Sequence, residues 1–160
     1  MSSDARLDAL NAWLERVLPV PISSIAPATS DASFRRYFRI TLAGELELPS
    51  ARPAVRTLIA MDAPPAQEDS AAYVAVAALL AAAGVHAPIV HAQDLSAGFL
   101  LVSDLGPRTY HEVLDEATAP PLYRDACRSL LALQLAGRSS VLPRYAQPLL
   151  APALPTSPVR

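Results

Sequence analysis

Leucines recur at positions 7, 10, 14 and 18, in steps of three and four, with Trp13 beside them. One face of a 3.6-residue helix has that spacing, so an amphipathic helix is predicted over residues 4–18, capped by Ser2 or Ser3 and stopped by Pro19. A short strand is predicted over 22–28. From Phe34 the period falls to two, with Phe34, Arg36, Phe38 and Ile40 on one face of a strand and Arg35, Tyr37 and Arg39 on the other. "AGELELPSARP" (43–53) reads as turn and loop, and "TLIAMDA" (57–63) as a buried strand stopped by Pro64 and Pro65.

An Ala-rich helix starts at Asp69 or Ser70 and ends at Gly84. "PIVHAQD" and "GFLLVSD" are two strands around the turn "LSAG", most simply a hairpin. Thr109 and Glu112 have capping-box spacing for a short helix to about Asp115. Pro120 and Pro121 open a last helix, which carries Leu122, Ala126, Leu130, Leu133 and Gln134 and closes at Gly137. Consecutive strands without crossover helices imply an α+β fold, a mainly antiparallel sheet of five strands with one helix packed on it.

Composition narrows the classes. The net charge of −2 implies no general attraction to nucleic acid or to an anionic membrane. All 13 basic residues are Arg, so any phosphate clamp must be a guanidinium or backbone N–H. The single Cys127 cannot form an internal disulfide, which fits a cytoplasmic protein, and its helical neighbours predict a buried, inert thiol. The start "MSSDARLDAL" is not a signal peptide. The greasiest run, 71–85, is too short and too Ala-rich to span a membrane and predicts a buried helix. His86, His91 and His111 lie on different elements without Cys pairs nearby, so no metal site is read from spacing.

An antiparallel five-stranded sheet, with a helix between the third and fourth strands and a linker after the fifth, is the layout of the kinase small lobe. There, the turn between the first two strands covers the nucleotide phosphates. Here that turn is "TSDAS" (29–33), whose N–H groups and hydroxyls suit phosphate oxygens, with Arg35, Arg36 and Arg39 following. The same residues also suit a plain hairpin with a solvated arginine face.

The stretches "SDASFRRYFRI", "MDAPPAQED", "GVHAPIVHAQD" and "GFLLVSDLGPRTYHEVL" occur in order between residues 30 and 114, within a resemblance that covers about residues 5–137. Together they resemble the sugar 1-kinases of the aminoglycoside phosphotransferase superfamily, specifically the anomeric N-acetylmuramate/N-acetylglucosamine kinases of bacterial cell-wall recycling. The resemblance implies ATP and Mg²⁺ as cofactors, a nucleotide and an amino sugar as partners, and phosphoryl transfer to the anomeric hydroxyl. It also implies that Ser30, Asp31, Ala32 and Ser33 cover the phosphates and that Ser103, Asp104, Leu105 and Gly106 form the adenine-binding hinge. Ile59 and Val102 would wall the adenine slot, and Glu68 would be the ion-pairing acid near the helix start. The third-strand Lys that usually pairs with that acid is absent, Met61 or Asp62 standing there, and Arg36 is the expected substitute.

The resemblance divides the chain into a kinase-like small lobe with hinge (1–106), the first helices of a truncated large lobe (107–137) and an irregular tail (138–160). The tail has five prolines in its last eighteen residues and reads as disordered or frameshifted. Phosphoryl transfer needs a group to orient the acceptor hydroxyl and carboxylates to hold the metal. The resemblance would place these in an H-G-D-x-x-x-x-N loop and a later acid, and neither segment occurs here. No catalytic residue or metal ligand is therefore assigned, and the chain alone is expected to be inactive. A fragment of another small-molecule kinase of the superfamily, or a stand-alone nucleotide- or partner-binding module, remain as alternatives.

Overall fold

The computed structural model describes residues 4–30, 33–48 and 51–137, with 29, 30 and 51–53 described as backbone alone. The first helix, α1 (Ala5–Val17), starts at Asp4, whose carboxylate accepts the Leu7 N–H at 3.1 Å. Ser2 and Ser3, the caps expected from sequence, lie outside the described residues. Leu18 turns extended, and Pro19 and Pro21 follow it.

Three strands follow, β1 (Ile22–Ser30), β2 (Arg36–Leu48) and β3 (Ala51–Asp62). Then come α2 (Ser70–Ala82), β4 (Val90–Asp94) and β5 (Phe99–Ser103). All pairings are antiparallel, in the order β1-β2-β3-β5-β4. The element order, the α+β class and the β4–β5 hairpin are those predicted. One segment differs. Residues 43–53 are not a loop: β2 and β3 run on as a long hairpin, with Leu46 opposite Val55 and Leu48 opposite Ala51. Glu45 and Glu47 alternate with Leu46 and Leu48, and Leu46 is buried, so burial of that leucine face carries the ladder outward. Gly44 falls in the register shift between Thr41 and Leu46 and marks an irregularity, not a turn.

The sheet buries both faces. On one, α1 sets Leu10, Trp13 and Leu14 against Phe38, Ile40, Leu42, Leu58, Ala60, Phe99 and Leu101. On the other, Met61, Ala63, Leu100 and Val102 pack with Tyr37, Ile59, Tyr73, Val74 and Val90. Sequence predicted one packed helix; α1 supplies a second layer over the larger core. The unbroken run "FLLV" of β5 follows from this, because a central strand covered on both faces has no polar side.

Asp69 caps α2, accepting from the N–H groups of Ala71 and Ala72 at 3.0 and 3.2 Å. Gly84, at φ +70°, ends it with Gly84 N–H on Ala81 C=O and Val85 N–H on Leu80 C=O, the double bond of a glycine-terminated helix. The expected buried helix is instead a surface helix, with Ser70 and Ala77 its buried residues. Alanine side chains are too short to draw more of it into the core.

Past β5 lie α3 (Tyr110–Val113) and α4 (Ala119–Ala136). The Glu112 carboxylate accepts the Thr109 N–H at 2.7 Å, as the spacing predicts. No residue of α4 is buried. Leu131 and Leu135 are 59% and 83% exposed. Cys127, expected inside, is exposed, because no described element covers this helix. No described helix is long and apolar enough to cross a membrane.

Candidate functional site

The residues singled out by sequence gather where β2 begins and where β5 ends. Alternation along the strand sends consecutive arginines to opposite faces. Arg36 goes to the α1 face, where its Nε donates to the Asp62 carboxylate at 3.0 Å and its terminal nitrogens reach both Asp62 and Asp4. Arg6 of α1 clamps the other oxygen of Asp62, with Nε at 2.8 Å, and donates to the Ala97 carbonyl at 2.8 Å. Asp62 is fully buried between the two guanidiniums. Arg36 was expected to neutralise phosphate. In the structure its guanidinium is paired with two carboxylates under α1, which hold it more firmly protonated than an ordinary arginine.

Arg35 takes the opposite face. Its guanidinium lies 3.0 Å from Glu68, the acid just before α2, and over the Tyr73 ring at 5.9 Å. The other Glu68 oxygen accepts the Phe34 N–H at 3.1 Å, so this carboxylate fixes both the end of the turn and the residue after it. Phe34, predicted on the strand, precedes it and is exposed. Within the turn, the Ser33 hydroxyl accepts the Arg35 N–H at 3.2 Å. Asp31 and Ala32 lie outside the described residues, and Ser30 is described as backbone, paired with Arg36.

At the sheet's far end, Arg39 forms a two-point pair with Asp104, Nε to one oxygen at 2.7 Å and a terminal nitrogen to the other at 3.1 Å. Asp104 also accepts the Gly106 N–H at 2.9 Å, which shapes the turn after β5. Burial alone would raise the Asp104 pKa, but Arg39, the Gly106 N–H and the Thr57 hydroxyl together hold it below the ordinary value. Past Ser103 the backbone leaves the sheet, so the peptide groups of 104 and 105 are outside the ladder. The Ser103 hydroxyl itself lies 3.0 Å from His91 Nε2, and burial pushes the pKa of that imidazole down.

Ile59 and Val102 are register partners, and Met61 faces Leu100. Val102 and Met61, however, are sealed beneath α2 with Tyr73 and Val74, and Ile59 keeps partial exposure. A cavity of about 490 Å³ between α2 and β4 is lined by Val74, Ala77, Ala81, Val90 and His91, none of them a predicted site residue. Among the described residues no group of three His, Cys, Asp or Glu can hold a metal ion.

Sequence reasoning missed Asp62, Arg6 and Asp4 as partners, and Arg39 as the holder of Asp104. Asp62 left one trace, a carboxylate inside the apolar run "LIAMDA", where a charge stays only if paired.

The profile of the phosphotransferase enzyme family matches residues 24–156. An N-acetylmuramate/N-acetylglucosamine kinase of Pseudomonas aeruginosa is 46% identical over 155 residues, covering 91% of this chain and 43% of the relative. A kinase of the same name from Pseudomonas putida is 41% identical over 157 residues, covering 92% and 43%. One from Neisseria meningitidis serogroup B is 33% identical over 140 residues, covering 85% and 38%. The chain thus spans less than half the length of these relatives. The match takes in β1 through α4, the elements that carry the paired arginines and the turn after β5, and on that ground the chain belongs to the phosphotransferase enzyme family.

Proposed function

We propose that this chain is the nucleotide-binding part of a cytoplasmic, ATP-dependent amino-sugar kinase. Its reaction transfers the γ-phosphoryl group of ATP to the anomeric hydroxyl of N-acetylmuramate or N-acetylglucosamine during cell-wall recycling. The substrates follow from the names of the relatives. The observation that carries the nucleotide reading is the pair of ties on one sheet face: Glu68 on Arg35 beside the 30–33 turn, and Arg39 on Asp104 where β5 gives way to the hinge. A polyphosphate fits the first, being anionic beside a guanidinium and a polar turn. An adenine fits the second, where partly exposed Ile59 pairs with Val102 one residue before β5 ends at Ser103.

The described residues do not fit Mg²⁺, since no cluster of acids is present among them. The metal ligands and the group orienting the sugar hydroxyl belong, on this reading, to the part of the relatives this chain does not span. The chain alone is then expected to bind ATP without turning it over.

Calorimetric titration of the chain with ATP tests this, beside an assay for sugar-dependent ADP release. Saturable ATP binding, weakened in Asp104→Asn, with no ADP release, is the expected result. Absence of any nucleotide binding overturns the reading. ADP release that depends on N-acetylmuramate would show that the chain carries a catalytic group after all.

A further inference from the structure

His91 falls in a register shift of the β4–β5 hairpin. Val90 lies opposite Val102 and Ala92 opposite Leu101, so β4 carries an extra residue across this step, and His91 is that residue. A bulge turns a side chain out of the regular alternation. Here the imidazole reaches the last residue of β5, with Nε2 3.0 Å from the Ser103 hydroxyl. The same hydroxyl accepts the Ile89 N–H at 3.3 Å, and the Ser103 N–H donates to the Ile89 carbonyl at 3.0 Å. A hydroxyl both donates and accepts, so it can meet a neutral imidazole and a backbone N–H at once. Burial favours that neutral form of His91.

The side-chain bond is not needed to pair the strands, which the backbone already joins at Ile89 and Ser103. Nor does packing alone hold the ring, which lines the cavity of about 490 Å³ between α2 and β4 opposite Val74, Ala77 and Ala81 of the helix. What the bond does is brace the exit of β5. Ser103 is tied to β4 through His91, and its neighbour Asp104 is tied to β2 through Arg39. The peptide groups of 104 and 105 follow, outside the ladder. Ties from two different strands therefore steady a short piece of backbone that the sheet itself no longer holds. A peptide edge fixed in advance costs less to order when a base docks on it.

We propose that His91 is a positioning residue for the nucleotide base: by holding Ser103, it fixes the 104–105 backbone that the adenine edge would meet. The inference rests on the nucleotide reading given above. It assigns His91 no contact with the nucleotide.

The test titrates the full chain with adenosine, which carries the base, and with inorganic tripolyphosphate, which lacks it. His91→Leu and Ser103→Ala should each lose roughly three- to tenfold in adenosine affinity and leave tripolyphosphate unchanged. His91→Gln, which keeps a hydrogen-bonding group on a side chain of similar reach, should restore most of the loss. The double variant His91→Leu with Ser103→Ala should lose no more than either single variant, because one bond is removed in all three. Thermal unfolding checks that each variant folds. If His91→Leu and Ser103→Ala do not fold, the ¹⁵N shifts of the His91 imidazole in the wild-type chain decide, with adenosine expected to move them and tripolyphosphate not. Adenosine affinity unchanged in both single variants sinks the proposal and leaves the nucleotide reading standing. Equal losses for adenosine and tripolyphosphate, additive losses in the double variant, or imidazole shifts that adenosine does not move also overturn it. A wild-type chain that binds neither adenosine nor ATP removes both.

Discussion

Asp62 shows how a single residue can be read from sequence as present but not as used. In a strand of apolar neighbours a carboxylate is costly unless its charge is matched, and two arginines from different elements match it. Asp62→Asn keeps the volume and removes the charge. Because Arg6 and Arg36 remain partly exposed and can turn to water, the expected loss is moderate, about 2–3 kcal/mol, read from urea unfolding. The exposed Glu15→Gln should stay within about 0.5 kcal/mol. An unchanged midpoint for Asp62→Asn would mean that the clamp contributes nothing. Asp104 has a pH signature. Its folded pKa lies below the ordinary 3.8, so its ion pair stabilises the chain above that value and is lost as pH falls through the folded value. The stability difference between the wild-type chain and Asp104→Asn should be flat at neutral pH and shrink below about pH 4. A difference that grows toward acid would contradict the assigned direction.

Elements were legible where their periodicity was strong. The leucines of α1, the alternation of β2 and the Asp69 and Gly84 boundaries of α2 all lie within a few residues of expectation. The β2–β3 hairpin was not legible beyond Thr41, because Gly and Pro are turn signals whose effect depends on what they pack against. Two glycines illustrate this. Gly84 and Gly98 have similar φ, +70° and +77°. A methyl group at Gly84 meets open space, and Gly84→Ala should cost about 1 kcal/mol, the left-handed penalty alone. A methyl group at Gly98 overlaps the Ala63 carbonyl oxygen, which belongs to the chain leaving β3, and the Gly98 carbonyl accepts the Ala63 N–H at 2.8 Å. Gly98→Ala should cost at least about 3 kcal/mol, seen as a lower unfolding midpoint and loosening of the β3–β5 contact. Equal costs at the two positions would refute the close approach.

At the scale of the whole molecule, the two-sided sheet is closed and α4 is open. Sequence gave α4 an apolar face and therefore a thiol buried within it. Burial, however, needs a partner surface, and no described element supplies one. Cys127 should react with a water-soluble thiol reagent at one equivalent per chain without denaturant, and reaction only after unfolding would show the helix to be covered. The exposed Leu131 and Leu135 should make the chain self-associate at tens of micromolar, and Leu131→Glu with Leu135→Glu should lower the apparent mass in light scattering. A wild-type chain that stays monomeric at those concentrations would contradict this.

What the sequence determined by itself is the order of elements and the antiparallel class, because hydrophobic period and caps are local and each is written in neighbouring residues. What only the tertiary structure decided is which charges meet. Arg35 and Arg36 are adjacent in sequence and chemically alike. They part company only when the pleat sends one toward Glu68, 33 residues on, and the other toward Asp62, 26 residues on, and Asp4, 32 residues before it. The same pleat puts Ile59, Met61 and Val102 on the α2 face, where Met61 and Val102 are sealed and Ile59 is partly buried. Pairing across such separations depends on register and on which face a helix covers, and neither is encoded in the residues that do the pairing.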